Sequence, residues 1–216
     1  MALPEIPVVY SLCIDVQGAR ADLAFEARRL VERVVRMSAD PEALRRDPVI
    51  SGYRSFLETR VGSGLRVYPE VLIREAISGR SSRYGNPVVD IVIAVSMCTG
   101  IAMSPLDADR VVAPLRLLYL AAQTVLKDFR GREIRIPRGS AVLVDASNRV
   151  LYVYPYKLTD AAPITAETRR VLIVGYGAPS IPITLVEQSV RRVVDYLESF
   201  IRGASCSQPE VSTAIA

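Results

Sequence analysis

The chain is expected to fold as α+β, a layered sheet or sandwich flanked by helices, and three observations predict it. Helical periodicities gather in the first half of the sequence, while short β-rich runs separated by turn residues fill the second. Half of the 216 residues are hydrophobic, enough to bury a full core. No repeat or heptad pattern interrupts this division.

Residues 8–16 are rich in β-branched side chains and read as a first buried strand. Residues 19–37 place Leu23, Ala27, Leu30, Val31 and Val34 on one face and Arg28, Arg29, Glu32, Arg33 and Arg36 opposite, an amphipathic helix. Its arginines either meet phosphate or form a solvated face laced with pairs such as Glu32 and Arg36. Pro41 starts a further helical stretch, which Asp47-Pro48 breaks before a short helix through Tyr53, Arg54, Phe56 and Leu57. Gly62-Ser63-Gly64 is a loop, and Pro69 and Glu70 open a helix over 69–77.

Residues 88–109 are the centre of the chain. They read as a buried helix, a glycine stop at Gly100, then a short extended piece closed by Ser104, Pro105 and Asp107. Asp90 is either the N-cap of that helix or a pocket acid, and Asp107 either bonds its own turn or faces a ligand.

Strands are expected at 115–120, 133–136, 141–144, 150–154 and 171–174, with turn chemistry at 127–131, 137–139 and 147–148. Tyr152, Tyr154 and Tyr156 alternate and would share one strand face, which suits either stacking on a base or aromatic ligand, or core packing. A last helix over 185–201 carries Val186, Val190, Val193, Val194, Leu197, Phe200 and Ile201 as a stripe. The expected organisation is one unit over 1–202 with a flexible tail over 203–216.

Composition excludes several chemistries. The chain has no histidine, which removes Ser-His-Asp and Cys-His hydrolases and His-ligated metals. Its 3 cysteines, Cys13, Cys98 and Cys206, form no CxxC pair, which argues against a disulfide framework and a structural zinc. No GxxxxGK[ST] exists, and the glycines at 175 and 177 lack the context of a nucleotide loop, so no cofactor or metal is expected. Charge is mild, +4, and almost wholly arginine, since Lys127 and Lys157 are the only lysines; this is compatible with RNA or with a GC-rich genome. Scarce asparagine and glutamine suit a thermophile. No apolar run reaches membrane-spanning length and no leader opens the chain, so a cytoplasmic location is expected.

Four motifs in order carry a resemblance: Pro69-Glu70-Val71-Leu72; Asn86-Pro87-Val88-Val89-Asp90 with Thr99-Gly100, Asp107 and Asp109; the strand ending in Asp145; and the Glu167-Thr168 pair leading into Val171-Leu172-Ile173. Over roughly residues 50–175 the chain resembles the B-three/B-four domain of the phenylalanyl-tRNA synthetase beta subunit. The resemblance implies an editing and tRNA-binding module, which in the synthetase hydrolyses tyrosine wrongly attached to the phenylalanine tRNA. It also implies where ligand contacts fall: Asp90, Ser104, Asp107 and, in the place of the specificity carboxylate, Asp160. The chain departs from that pattern where bacterial members have Thr and Asn, here Val92 and Ile93, and where they have histidine, here Ser104.

Three functions follow from the resemblance. One is a stand-alone domain that recognises tRNA or aminoacyl-tRNA, with an aromatic amino acid as a possible ligand and no aminoacylation. Another is a trans-editing hydrolase using the tRNA's own ribose hydroxyl. The third is a fold reused for some other small ligand. The editing reading requires Asp160, Asp90 and Ser104 to converge on one cavity.

Overall fold

The computed structural model describes residues 6–17, 21–38, 44, 46–60, 67–80 and 85–213. Among the described residues the central sheet holds β1 (Pro7–Ile14), β2 (Ala102–Asp107), β9 (Val171–Tyr176), β10 (Ser205–Cys206) and β11 (Glu210–Thr213). β10 and β11 both pair with β1, which pairs with β9, which pairs with β2, all antiparallel. Both β2 and β9 are buried along their whole length, and β9 accordingly reads as an apolar run rather than an alternating one.

Helices α1 (Ala21–Met37), α2 (Pro48–Arg60), α3 (Tyr68–Ile77), α4 (Pro87–Thr99) and α5 (Ile183–Phe200) complete the larger half. α1 buries Leu23, Ala27, Leu30 and Val34, one stripe of a helix of period 3.6, and packs on α4. α4 is buried on nearly all sides because α1, α3 and α5 surround it, which is why it is apolar throughout. Gly100 ends α4 in the left-handed conformation (φ 71°), where a side chain would be strained. α5 lies across β1 and β9. Gly175 permits that close approach, since a Cβ there would sit 2.7 Å from Val190 and 2.9 Å from Val186.

A second layer holds β3 (Arg116–Tyr119), β6 (Ala141–Val144), β7 (Val150–Val153) and β8 (Lys157–Leu158), paired in that order. Beside it stands a hairpin, β4 (Thr124–Lys127) with β5 (Glu133–Ile136). Ile136, Val142, Val144 and Val153 form a small core between them.

Rings join this layer to the central sheet. Tyr152 stacks on Tyr176 at 4.4 Å between centroids, and Tyr154 meets Tyr53, Phe56 and Tyr176 at 5.5 to 6.2 Å. β7 ends at Val153 and residues 154–156 form a turn, so the three alternating tyrosines are not carried on one strand. Tyr152 and Tyr154 are buried core residues, and Tyr156 is only half-buried.

The ladder phase of β2 is fixed by two residues. The Asp107 N–H leaves the sheet for the Ala162 carbonyl at 3.0 Å, and Pro105 has no N–H. The main-chain groups of Met103, Pro105 and Asp107 therefore face away from β9, while those of Ala102, Ser104 and Leu106 face it. At the end of this ladder the Ala102 N–H donates to the Tyr53 hydroxyl at 3.1 Å, and that hydroxyl donates to the Tyr176 carbonyl.

Several expectations need correction. Within the segment expected as a tail, residues 205–206 and 210–213 are strands: β10 and β11 lie along β1, Ser207 exchanges hydrogen bonds with the Leu12 main chain, and the Tyr10 hydroxyl donates to Glu210 at 2.8 Å. Cys13 and Cys206 are not isolated thiols. They are bonded to each other at a sequence separation of 193, a relation that local spacing does not reveal. They sit opposite one another where neither takes part in the β1–β10 ladder, the kind of pair whose Cα atoms lie closest, here 4.0 Å. The β4 strand was also not expected, because Val125 and Lys127 are exposed and no apolar run marks it. The helix from Pro41 lies outside the described residues except for Leu44 and Arg46, both helical, and the loop at Gly62-Ser63-Gly64 lies wholly outside them.

Candidate ligand cavity

Asn86, not Asp90, caps α4. The Pro87 ring holds Asn86 extended and fits the first helical position. The Asn86 carboxamide oxygen then accepts from the N–H groups of Val88 and Val89 at 3.0 and 3.4 Å. The helix thus begins one turn before Asp90, whose own N–H is already bonded to the Asn86 carbonyl at 2.9 Å.

A cavity of about 730 Å³ opens where α3, α4, the free edge of β2 and the β4–β5 hairpin meet. Its inner wall is built from Tyr68, Val71, Val89, Ile93, Met103, Ser104, Pro105 and Tyr152. Ser104 is buried at this wall, its hydroxyl 2.7 Å from that of Tyr176. The Tyr152 hydroxyl is buried and has no hydrogen-bond partner among the described residues. Burial holds the phenols of Tyr152 and Tyr176 far above their ordinary value, so both stay protonated as donors.

The mouth is basic. Arg130, Arg132, Arg135 and Lys157 line it from the hairpin and β8, with Glu75 of α3 across the opening. Arg130 lies over the Phe129 ring at 5.2 Å. Asp128, fully buried, organises the turn: one carboxylate oxygen accepts from the N–H groups of Arg130 and Arg132, the other from the Arg132 guanidinium at 2.8 and 3.0 Å. Lys157 stands 3.5 Å from the same carboxylate. Burial pushes the Asp128 carboxyl up, but these donors outweigh it and hold it at about 2.

The same arrangement recurs at Asp145, which accepts from the N–H groups of Ser147 and Arg149 and from the Arg149 guanidinium. In both turns the residue before the arginine is left-handed, Gly131 and Asn148. The aspartate closing the β6 strand is therefore a turn anchor. Sequence reading saw both turns but not the Asp-x-x-x-Arg spacing they share, which was the available signal for the basic mouth.

Of the four expected contact residues only Ser104 lines this cavity. Asp160 is exposed in the bend after β8, its N–H on the Lys127 carbonyl at 3.2 Å. Asp107 is buried and engaged, accepting from the Asp109 N–H at 3.1 Å and the Thr168 hydroxyl at 2.8 Å. Asp90 lines a separate cavity of about 520 Å³ beside α1, with Arg28, Glu32, Arg36 and Arg80. The convergence of Asp160, Asp90 and Ser104 is thus not found, because β8, the sheet and α4 aim them in different directions. Among the described residues no group of His, Cys, Asp or Glu is placed to hold a metal ion, and no helix is long and apolar enough to cross a membrane.

The family model of the B3/4 domain matches residues 58–213. Among solved structures, an N-terminal fragment of the phenylalanyl-tRNA synthetase beta-subunit from Pyrococcus horikoshii is similar at 12% identity and a TM-score of 0.44, covering 56% of this chain. The chain spans 41% of that fragment. The TILS C-terminal domain is similar at 19% identity and a TM-score of 0.29 over 36% of this chain and 71% of that one. No match was found among curated proteins.

Proposed function

The chain belongs to the B3/4 domain family, and from that premise we propose that it is a tRNA-binding domain related to the phenylalanyl-tRNA synthetase beta subunit, recognising tRNA or aminoacyl-tRNA without aminoacylating it. The observation that carries this reading is the pairing of an apolar cavity with a basic mouth. Guanidinium groups at Arg130, Arg132 and Arg135 suit phosphate oxygens. The interior, apolar with a few hydroxyls, suits an unpaired base or the side chain of an amino acid. Ser104 is the residue of the expected set that such a ligand would touch.

The test is tRNA binding measured against salt. Wild type is expected to bind at low salt, with log K falling roughly 2-fold as steeply as log[salt] if about three phosphates are neutralised. The double variant Arg130→Ala/Arg135→Ala should weaken binding and flatten that slope, whereas Asp160→Ala should leave it unchanged. Absence of tRNA binding at low salt removes the reading. A parallel deacylation assay uses tyrosylated phenylalanine tRNA and other mischarged tRNAs. Surviving esters keep the binding reading, and turnover replaces it with a trans-editing hydrolase.

A further inference from the structure

The wall of the main cavity contains a stretch of unpaired strand edge. Asp107 and Pro105 set the phase of β2 so that the Met103 N–H, the Met103 carbonyl and the Pro105 carbonyl point off the sheet. Among the described residues no donor or acceptor meets them, and Met103, Ser104 and Pro105 all line the cavity. An open edge ordinarily recruits another strand. Here the space beside it is the cavity of about 730 Å³ framed by α3, α4 and the hairpin, the size of a site for a small ligand.

A single residue offering both its N–H and its carbonyl forms a reciprocal pair with a group that carries a donor nitrogen and a carbonyl on the same carbon. That group is an α-aminoacyl unit. We propose that the Met103 main chain holds the α-aminoacyl end of the ligand, its amine donating to the Met103 carbonyl oxygen and its carbonyl accepting from the Met103 N–H. The proposal rests on the aminoacyl-tRNA reading above and names the groups that read the acyl end. The ligand's side chain then lies against Tyr68, Val89 and Ile93, which favours an apolar or aromatic one. The unpartnered Tyr152 hydroxyl in the same wall is a second donor for it.

The ladder phase also supplies the test. Met103 occupies the same phase as Pro105, where the chain already accepts proline, so Met103→Pro removes the edge donor without removing a bond to β9. The probe is 3′-(phenylalanyl)amino-3′-deoxyadenosine, an amide that cannot be hydrolysed as an ester, compared with its counterpart lacking the α-amine. Wild type should bind the amino probe about 10-fold more tightly than the deamino probe, the worth of one good hydrogen bond. Met103→Pro should lose about 10-fold for the amino probe, and Met103→Leu should stay within about 3-fold of wild type. Should Met103→Pro fail to fold, the two probes on wild type decide alone. Equal binding of both probes, or equal binding of the amino probe by wild type and folded Met103→Pro, overturns the proposal. If tRNA binds and the amino probe does not, the edge assignment fails and the tRNA reading survives. If the amine-dependent probe binds and tRNA does not, the reverse holds.

Discussion

The Thr168 hydroxyl donates to the Asp107 carboxylate at 2.8 Å, joining two buried residues 61 positions apart at the foot of β2 and β9. Both belong to motifs that suggested a ligand site, yet they satisfy each other. Asp107→Ala removes the carboxylate that accepts from the buried Thr168 hydroxyl and the Asp109 N–H and should destabilise the fold by about 1–3 kcal/mol. Chemical denaturation measures this. Unchanged stability together with lost tRNA binding would instead return Asp107 to the ligand.

Asp128 gives the acid limb of the stability curve. Its folded value, about 2, lies below the ordinary carboxylate range, so its contribution is complete above about pH 4. It fades as pH falls from there through about 2, where the carboxyl protonates in the fold. Burial pushes the Asp145 carboxyl up, but the Arg149 guanidinium and the N–H groups of Arg149 and Val112 outweigh it and hold it below its ordinary value. Asp128→Asn should lower stability at pH 7 and shrink the loss between pH 4 and 2. Urea melts across that range check it, and a slope equal to that of wild type would refute the assignment.

Tyr53 closes the β2–β9 ladder by bridging the Ala102 N–H to the Tyr176 carbonyl. Tyr53→Phe keeps the ring against Tyr154 but leaves both buried main-chain groups unpaired. The expected loss is about 2 kcal/mol, roughly 4–8 °C in Tm for a domain of this size. Amide exchange at Ala102 should accelerate in the variant. Protection equal to wild type would show that the hydroxyl is not the acceptor.

The Cys13–Cys206 bond constrains the unfolded chain over a separation of 193 residues. Cys206→Ser should destabilise by about 2–4 kcal/mol under non-reducing conditions. Under strong reductant, wild type should fall to the variant's Tm. A difference that persists after reduction would place the effect in packing rather than in the crosslink.

Much of the fold was legible because it is periodic. Leu23 to Val34 in α1 and Val186 to Leu197 in α5 recur at helical spacing, and Val171 to Val174 is an unbroken apolar run, as a strand covered on both faces must be. The start of α4 was misread because Asp90 is a good capping residue on type alone. Pro87 had already fixed the cap one residue before itself. The tail was misread because β11 exposes Val211 and Glu210 and draws its order from β1, a partner about the whole chain away. The cavity was legible only in part: Ser104, Tyr152 and Tyr156 line it and stand out in the sequence. The main chain of Met103 has no sequence signal, and Asp160 attracts notice because charge is visible where an unpaired strand edge is not.

The place of β1 in the central sheet also sets a timetable. Its neighbours on both sides, β9 and then β10 and β11, are synthesised long after it. At about 5–20 residues per second, Cys13 waits roughly 10–40 s for Cys206 to be made. Until β9 is made, β1 has neither of its pairing edges covered, and until β10 and β11 are made it has only one.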